Sequence, residues 1–376
     1  MKTKKITLAV IFLIVLLPMV TWNTKLGKIC SIDENRNRTG FPTTEEIFEN
    51  GFSKINDWYN DSFGMRDFLI RLQHQVDYSV FNYSDSIYIA NVDGEEYLFY
   101  RSVIDDEQIN NENISDERMN EIVESIMEVE EVLSAQGIDF KFIVPPQKNE
   151  ILDVDGLLPV HRPEITAYDR FEKEIMTTNL GDNYVPIRMI LKNANETASV
   201  FYKTDFHWND YGAAIAMGTV INEYANEMGK GNVYDFNNLI QRPMYLSKNQ
   251  AQLSNLSPLF YNLREENTVN MVMDEYSNYT AYDKNENIVV WENTRESVFD
   301  GGVLFVGDSY TPPALYAFND THSGIVELFP RVYFCHWDYA EGILYNLPED
   351  VELVVVENIE SSLSYMNMKY NTLLAK

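Results

Sequence analysis

Cysteine is nearly absent from this chain, with only Cys30 and Cys335 in 376 residues. Two cysteines cannot build a disulfide framework, so a buried core has to hold the fold, and this length is ample to form one. Histidine is scarce at five, and none stands at ligand spacing from a cysteine, so no metal site is expected and zinc is excluded. No cofactor is expected either. Positive charge is the third shortage: 29 Lys and Arg against 58 Asp and Glu leave a formal net charge of -29. Such a chain repels polyanions, which excludes nucleic acid and any broadly basic surface for anionic lipid. Internal repeats are missing, and so is the G-x-S-x-G elbow of α/β-hydrolases around any candidate serine. With 45% hydrophobic and 23% charged residues, the composition is that of an ordinary globular protein.

The long hydrophobic run lies at the N-terminus. A basic head, Met1 to Lys5, precedes an almost unbroken apolar stretch from Ile6 to Trp22, interrupted by Pro18. About 17 residues is the short end of a membrane span. No small-residue cleavage site precedes Asn23, and Trp22, Asn23 and Lys25 are poor cleavage neighbours. Residues 1–22 therefore read as an uncleaved signal anchor, with a cleaved signal peptide as the rival. Either leaves the remainder extracytoplasmic, and the anchor makes the chain a single-pass protein of the cell membrane.

Residues 23–109 read as a polar tether followed by a helical stalk and a β-hairpin. Ile47, Phe48, Phe52, Ile55, Trp58 and Tyr59 recur at three- and four-residue steps, predicting a helix over 44–63, and 68–81 continues in that style. Tyr88–Ala90 and Tyr97–Tyr100 flank the turn Asp93-Gly94. From 110 to 376 the pattern is α/β. Ser115 caps a helix whose buried stripe runs from Met119 to Leu133, and the strand Ile138–Val144 follows. Further strands are predicted at 199–202, 302–306, 331–334 and 351–357, with a helix over 211–228. The runs at 302–306 and 351–357 are continuously apolar, as in strands covered on both faces. The fold class is thus α/β, a flavodoxin-like, doubly wound parallel sheet with an N-terminal membrane anchor and a helical stalk. Residues 234–297, rich in tyrosine and asparagine, read as an insertion.

Two segments carry chemistry. Lys203-Thr204-Asp205-Phe206-His207-Trp208 follows the strand predicted at 199–202, and Gly307-Asp308-Ser309-Tyr310 follows that at 302–306. Carboxyl ends of parallel strands share one rim, where ligands bind. A serine hydroxyl needs an adjacent base, and the base needs an acid to fix its tautomer. Asp205 and His207, two apart on an extended segment, point to one side. His207 can then face Ser309, and the N–H groups at the start of the next helix can help hold an oxyanion. Trp208 is read either as a sugar-stacking surface or as packing beneath the loop. Lys148, on a loop after a strand, and Tyr310 are candidate polysaccharide contacts.

Several segments in chain order resemble the SGNH-hydrolase-like family of alginate O-acetyltransferases, the periplasmic alginate acetylation proteins and their Gram-positive relatives. They are Glu34-Asn35-Arg36, Phe63 to Asp67, Gly94 to Phe99, Val144 to Lys148 with Leu158-Pro159, Thr204 to Trp208, Gly307 to Tyr310 and the closing VELVVVENIE. The resemblance implies Asp205 as acid, His207 as base, Ser309 as nucleophile and Asp308 as a turn residue. It also implies an acyl-serine route to acetylation of a cell-surface or secreted polysaccharide. Because acetyl donors such as acetyl-CoA are cytoplasmic, it implies a multipass membrane acyltransferase as the supplying partner. Tyr97 and Thr311-Pro312-Pro313 depart from the family pattern and bear on substrate identity. A carbohydrate acetyl esterase with the same triad, and a non-catalytic glycan-binding subunit of an export complex, stand as alternatives.

Overall fold

Residue order already dictates the start of the main helix. The Ser115 hydroxyl accepts the Arg118 N–H, and Asp116 and Glu117 occupy the first turn, where the helix dipole favours negative charge. The computed structural model describes residues 39–152, 154, 158, 160, 162–239, 279–283, 287–315 and 324–375, with four scattered positions nearer the N-terminus. Most of the expected anchor and tether lies outside the described residues, as does 240–278 of the expected insertion. Among the described residues no helix is long and apolar enough to cross a membrane.

The chain divides into two compact units, with a boundary between Ile87 and Tyr88. The first holds helices α1 (Thr44–Asn50), α2 (Ser53–Ser62) and α3 (Arg66–Phe81). The helix expected over 44–63 is broken at Gly51, whose φ of 63° leaves the helical region. The Thr43 and Glu46 side chains cap α1 reciprocally.

From Tyr88 the second unit opens with the hairpin of β1 (Ile87–Val92), whose first residue falls on the boundary, and β2 (Glu95–Tyr100). Asp93 and Gly94 turn it with φ of 52° and 89°, the pair of positive values a tight two-residue hairpin needs. Helices α4 (Arg101–Asn113) and α5 (Asp116–Ala135) lead to β3 (Asp139–Ile143). Then come α6 (Lys148–Ile151), α7 (Ala167–Met176), α8 (Ile187–Asn195) and α9 (Asp210–Glu227). The last part holds β4 (Tyr279–Asp283), β5 (Ile288–Asn293), β6 (Gly302–Gly307), the short α10 (Pro312–Leu315), β7 (Arg331–His336), β8 (Val351–Glu357) and α11 (Met366–Leu373).

Six strands form one sheet in the order β3-β8-β6-β7-β5-β4. The four from β3 to β7 are parallel, as expected. β5 pairs antiparallel with β7 and β4 antiparallel with β5, so the sheet is mixed, and both strands come from the segment read as an insertion. The segment 199–202 is a second correction. It joins no sheet, and Phe201 bridges Trp208 in its own continuation.

Alternate residues of β6 feed two cores. Val303 and Phe305 pack with Leu353, Val355 and the α9 side, while Leu304 and Val306 pack with Val354, Val356 and the α5 side. Every residue of β6 is buried. Each Val, Leu or Phe so buried contributes roughly 1.5–3 kcal/mol, which makes β6 the firmest platform in the unit.

Candidate active site

The turn after β6 carries Ser309. At its base Gly307 is boxed in: a Cβ there would lie 2.1 Å from Thr311 Oγ1 and 2.7 Å from Glu357 Oε2. Asp308 uses its carboxylate to accept the Tyr310 N–H at 2.9 Å, and its carbonyl to accept the Thr311 N–H at 3.2 Å. Ser309 itself stands exposed at the tip.

The histidine comes from a separate loop. Beyond the Phe201–Trp208 bridge, the Tyr202 N–H donates to the His207 carbonyl at 3.4 Å and the Asn209 N–H to the Val200 carbonyl at 2.9 Å. Asn209 then caps α9 by accepting the Gly212 N–H at 2.9 Å. Inside the loop, Asp205 Oδ1 accepts the His207 N–H at 3.0 Å and lies 2.6 Å from His207 Nδ1. His207 Nε2 lies 2.7 Å from Ser309 Oγ. The three residues expected to act together are thus joined in a row, from the buried Asp205 through the partly buried His207 to the exposed Ser309.

The electrostatics suit that row. Burial pushes the Asp205 carboxyl up, but the His207 ring, two hydrogen bonds from His207 and the charge of Lys148 outweigh it. Asp205 is therefore held below its ordinary value. Ionised, it can accept a hydrogen bond from Nδ1–H and leave Nε2 as acceptor for the serine hydroxyl.

The three candidate substrate contacts are placed beneath this row, not on it. Lys148 is 3% exposed. Its ammonium donates to the carbonyls of Asp205 at 2.7 Å, Tyr202 at 3.0 Å and Lys203 at 3.3 Å, and also to that of Leu98. That saturates it and leaves no face for a sugar. Trp208 is fully buried, and its indole N–H donates to the Tyr310 carbonyl at 2.8 Å, which decides for the packing role. Tyr310 is 1% exposed and its hydroxyl donates to the Phe206 carbonyl at 2.8 Å. Together these two side chains tie the serine turn to the histidine loop.

Two polar residues at the site were not singled out from the sequence. Asp210, at the start of α9, is fully buried, and burial pushes its carboxyl up to about 7 against a hydrogen bond from the Tyr202 hydroxyl. Glu357 ends β8, with 1% exposure. Its one sequence signal is an acid closing an otherwise apolar strand.

A serine at the carboxyl end of a central parallel strand is thus hydrogen-bonded to an Asp–His pair on a separate loop. Residues 94–322 match the family model described as the SGNH hydrolase-like domain of acetyltransferase AlgX. That is more than half of the chain, and the chain belongs to this family. Similar solved structures include Bacillus cereus PatB1, at 15% identity, covering 74% of this chain and 97% of that one with a TM-score of 0.50. The O-acetyltransferase domain of Pseudomonas putida AlgJ is 16% identical over 76% of this chain and 99% of its own, with a TM-score of 0.43. Pseudomonas aeruginosa AlgX is 14% identical over 76% of this chain and 67% of its own, with a TM-score of 0.39. At 15% identity the likeness to PatB1 is one of fold. No curated protein matches the chain.

Proposed function

We propose that this chain is an extracytoplasmic O-acetyltransferase that moves acetyl groups onto hydroxyls of a polysaccharide through an acyl-serine at Ser309. The observation that carries the reading is the unbroken hydrogen-bonded row Asp205–His207–Ser309, with separations of 2.6 Å and 2.7 Å. Membership of an acetyltransferase family supports the choice of group transferred.

In the first half-reaction His207 Nε2 takes the Ser309 proton as Oγ attacks the acetyl carbonyl of the donor. The imidazolium, stabilised by Asp205, gives that proton to the departing donor oxygen, leaving an acetyl ester on Ser309. In the second, a sugar hydroxyl loses its proton to Nε2 while attacking that ester, and the proton returns to Oγ as the acetylated sugar leaves. Among the described residues nothing accepts the Ser309 N–H, which supports it as one donor to the oxyanion of each tetrahedral intermediate. An N-terminal anchor would hold the domain at the membrane, beside a multipass acyltransferase supplying acetyl groups from the cytoplasmic side.

The test compares the wild-type chain with Ser309→Ala on a chromogenic acetyl ester, with an oligosaccharide acceptor present and mass spectrometry of the protein. The expected result is an adduct of acetyl mass on Ser309 and acetylated sugar, both lost in the variant. Acetate release with no acetylated sugar from any acceptor tried would favour the esterase, since the exposed Ser309 also admits water. An adduct or turnover that persists in Ser309→Ala would overturn the mechanism.

A further inference from the structure

A fully buried carboxyl group on the last residue of a core strand is costly unless it is doing something there. Glu357 closes a run of aliphatic residues, Leu353 to Val356, all of them buried. The register of β8 on β6 pairs Val356 with Val306, so the next residue on β8 comes beside Gly307 and under the turn that follows. Glu357 Oε2 accepts the Asp308 N–H at 2.9 Å and the Thr311 hydroxyl at 3.1 Å. These are the residues on either side of Ser309 and Tyr310, so one oxygen grips both ends of the nucleophile's turn.

We propose that Glu357 is a positioning residue for the nucleophile, its carboxyl fixing the turn on which Ser309 sits; this rests on the reading of Ser309 as the nucleophile. Three further observations point the same way. Gly307 is needed at the base of the turn because any Cβ would strike Glu357 Oε2 and Thr311 Oγ1, so the carboxyl and the bare backbone fit one another. With its N–H held by Glu357, Asp308 is oriented so that its own carboxylate caps the Tyr310 N–H, and Ser309 is left at the tip with its N–H unclaimed among the described residues. The carboxyl is also not explained by an ion pair: Lys369 reaches Asp308, at 4.0 Å, and acts on Glu357 through its field.

Burial, with the charge of Asp308 adding to it, pushes the Glu357 carboxyl well above its usual range. Glutamine has nearly the shape of the glutamate side chain and keeps one acceptor oxygen. That makes a discriminating series available. Glu357→Gln keeps an oxygen for Asp308 and Thr311, Glu357→Ala removes it, and Thr311→Val removes one of the two donors while preserving volume.

The experiment measures the rate at which an aryl sulfonyl fluoride labels Ser309 in the full chain, followed by mass spectrometry, with near-ultraviolet circular dichroism on each variant to establish that it is folded. The same series is run on an acetyl ester for kcat and KM. A reacting atom misplaced by about 1 Å can cost on the order of 100-fold. Glu357→Ala is accordingly expected to label about 10- to 100-fold more slowly while folded, with the loss in kcat and not KM, and Glu357→Gln to recover most of it. Thr311→Val is expected to fall between, and it decides the question if Glu357→Ala does not fold. Labelling of folded Glu357→Ala at the wild-type rate, a Gln variant no better than Ala, or an unchanged Thr311→Val would each overturn the proposal. If wild type is not labelled and does not turn over the ester, the reading of Ser309 falls first and takes this inference with it.

Discussion

Replacing Lys148 by methionine keeps the length of the side chain and removes its charge. In the native chain that ammonium holds four carbonyls, of Leu98, Tyr202, Lys203 and Asp205, three of them in the loop that carries the acid and base. Removing one partner from a buried charged cluster costs about 3–5 kcal/mol, because the groups left behind are desolvated and unpaired. The lower end applies here, since the partners are carbonyl dipoles and not an anion. At about 2 °C per kcal/mol for a unit of this size, Lys148→Met should melt roughly 6 °C below wild type at pH 7. Part of the loss depends on pH. Lys148 helps hold Asp205 below its ordinary value, against burial as the largest opposing influence. A depressed carboxyl stabilises the fold above its unfolded pKa, near 3.9, and that contribution disappears as pH falls through the folded value. The gap between variant and wild type should therefore narrow below about pH 4. Melting curves followed by near-ultraviolet circular dichroism from pH 3 to pH 8 provide the assay. A variant that melts within 1 °C of wild type at pH 7 would refute the idea that the ammonium holds the loop.

Three other outcomes are expected. Asp205→Asn should leave the fold intact but lower acetyl-ester turnover by on the order of 10⁴-fold through the wrong His207 tautomer, as steady-state rates would reveal. Asp210→Asn should stabilise the protein at pH 8, because burial raises the carboxyl from 3.8 to about 7 and its ionisation opposes folding above that range. The gain, up to about 4 kcal/mol, should vanish by about pH 3, where both states of the wild type are protonated, and denaturant titrations at the two pH values would measure it. Gly307→Ala forces a methyl to within 2.1 Å of Thr311 Oγ1. It should cost about 1–3 kcal/mol of stability and displace Ser309 enough to slow its sulfonylation by roughly 100-fold, and labelling at the wild-type rate would show that the turn has slack.

The centre of the fold is legible in the sequence because its strands are covered on both faces: 302–306 and 351–357 are short apolar runs of the kind a central parallel strand needs. The sheet's antiparallel edge was hidden. β5 carries the apolar run Ile288-Val289-Val290-Trp291, but that run is isolated within a weakly periodic segment rich in tyrosine and asparagine, which masks it. Ser199 to Tyr202 shows the opposite error. Its β-branched and aromatic residues look like a sheet strand, yet they are buried by close contact with α9, where a Cβ on Gly212 would lie 2.3 Å from the Val200 carbonyl. At the site, Asp205, His207 and Ser309 were readable as types and spacings. The roles of Lys148 and Glu357 were not, because their partners Asp205 and Asp308 lie 57 and 49 residues away in sequence and only the folded chain brings them near.

The absence of 199–208 from the main sheet has a mechanical consequence. Ser309 grows from a strand between both cores, whereas the acid and base ride on a loop held by hydrogen bonds, one buried ammonium and the Trp208 ring packed in the core of Val303 and Phe305. The two halves of the chemistry thus have unequal grounding. The placement of acid and base can therefore be shifted through single polar contacts, whereas the strand beneath Ser309 is set by the sheet as a whole.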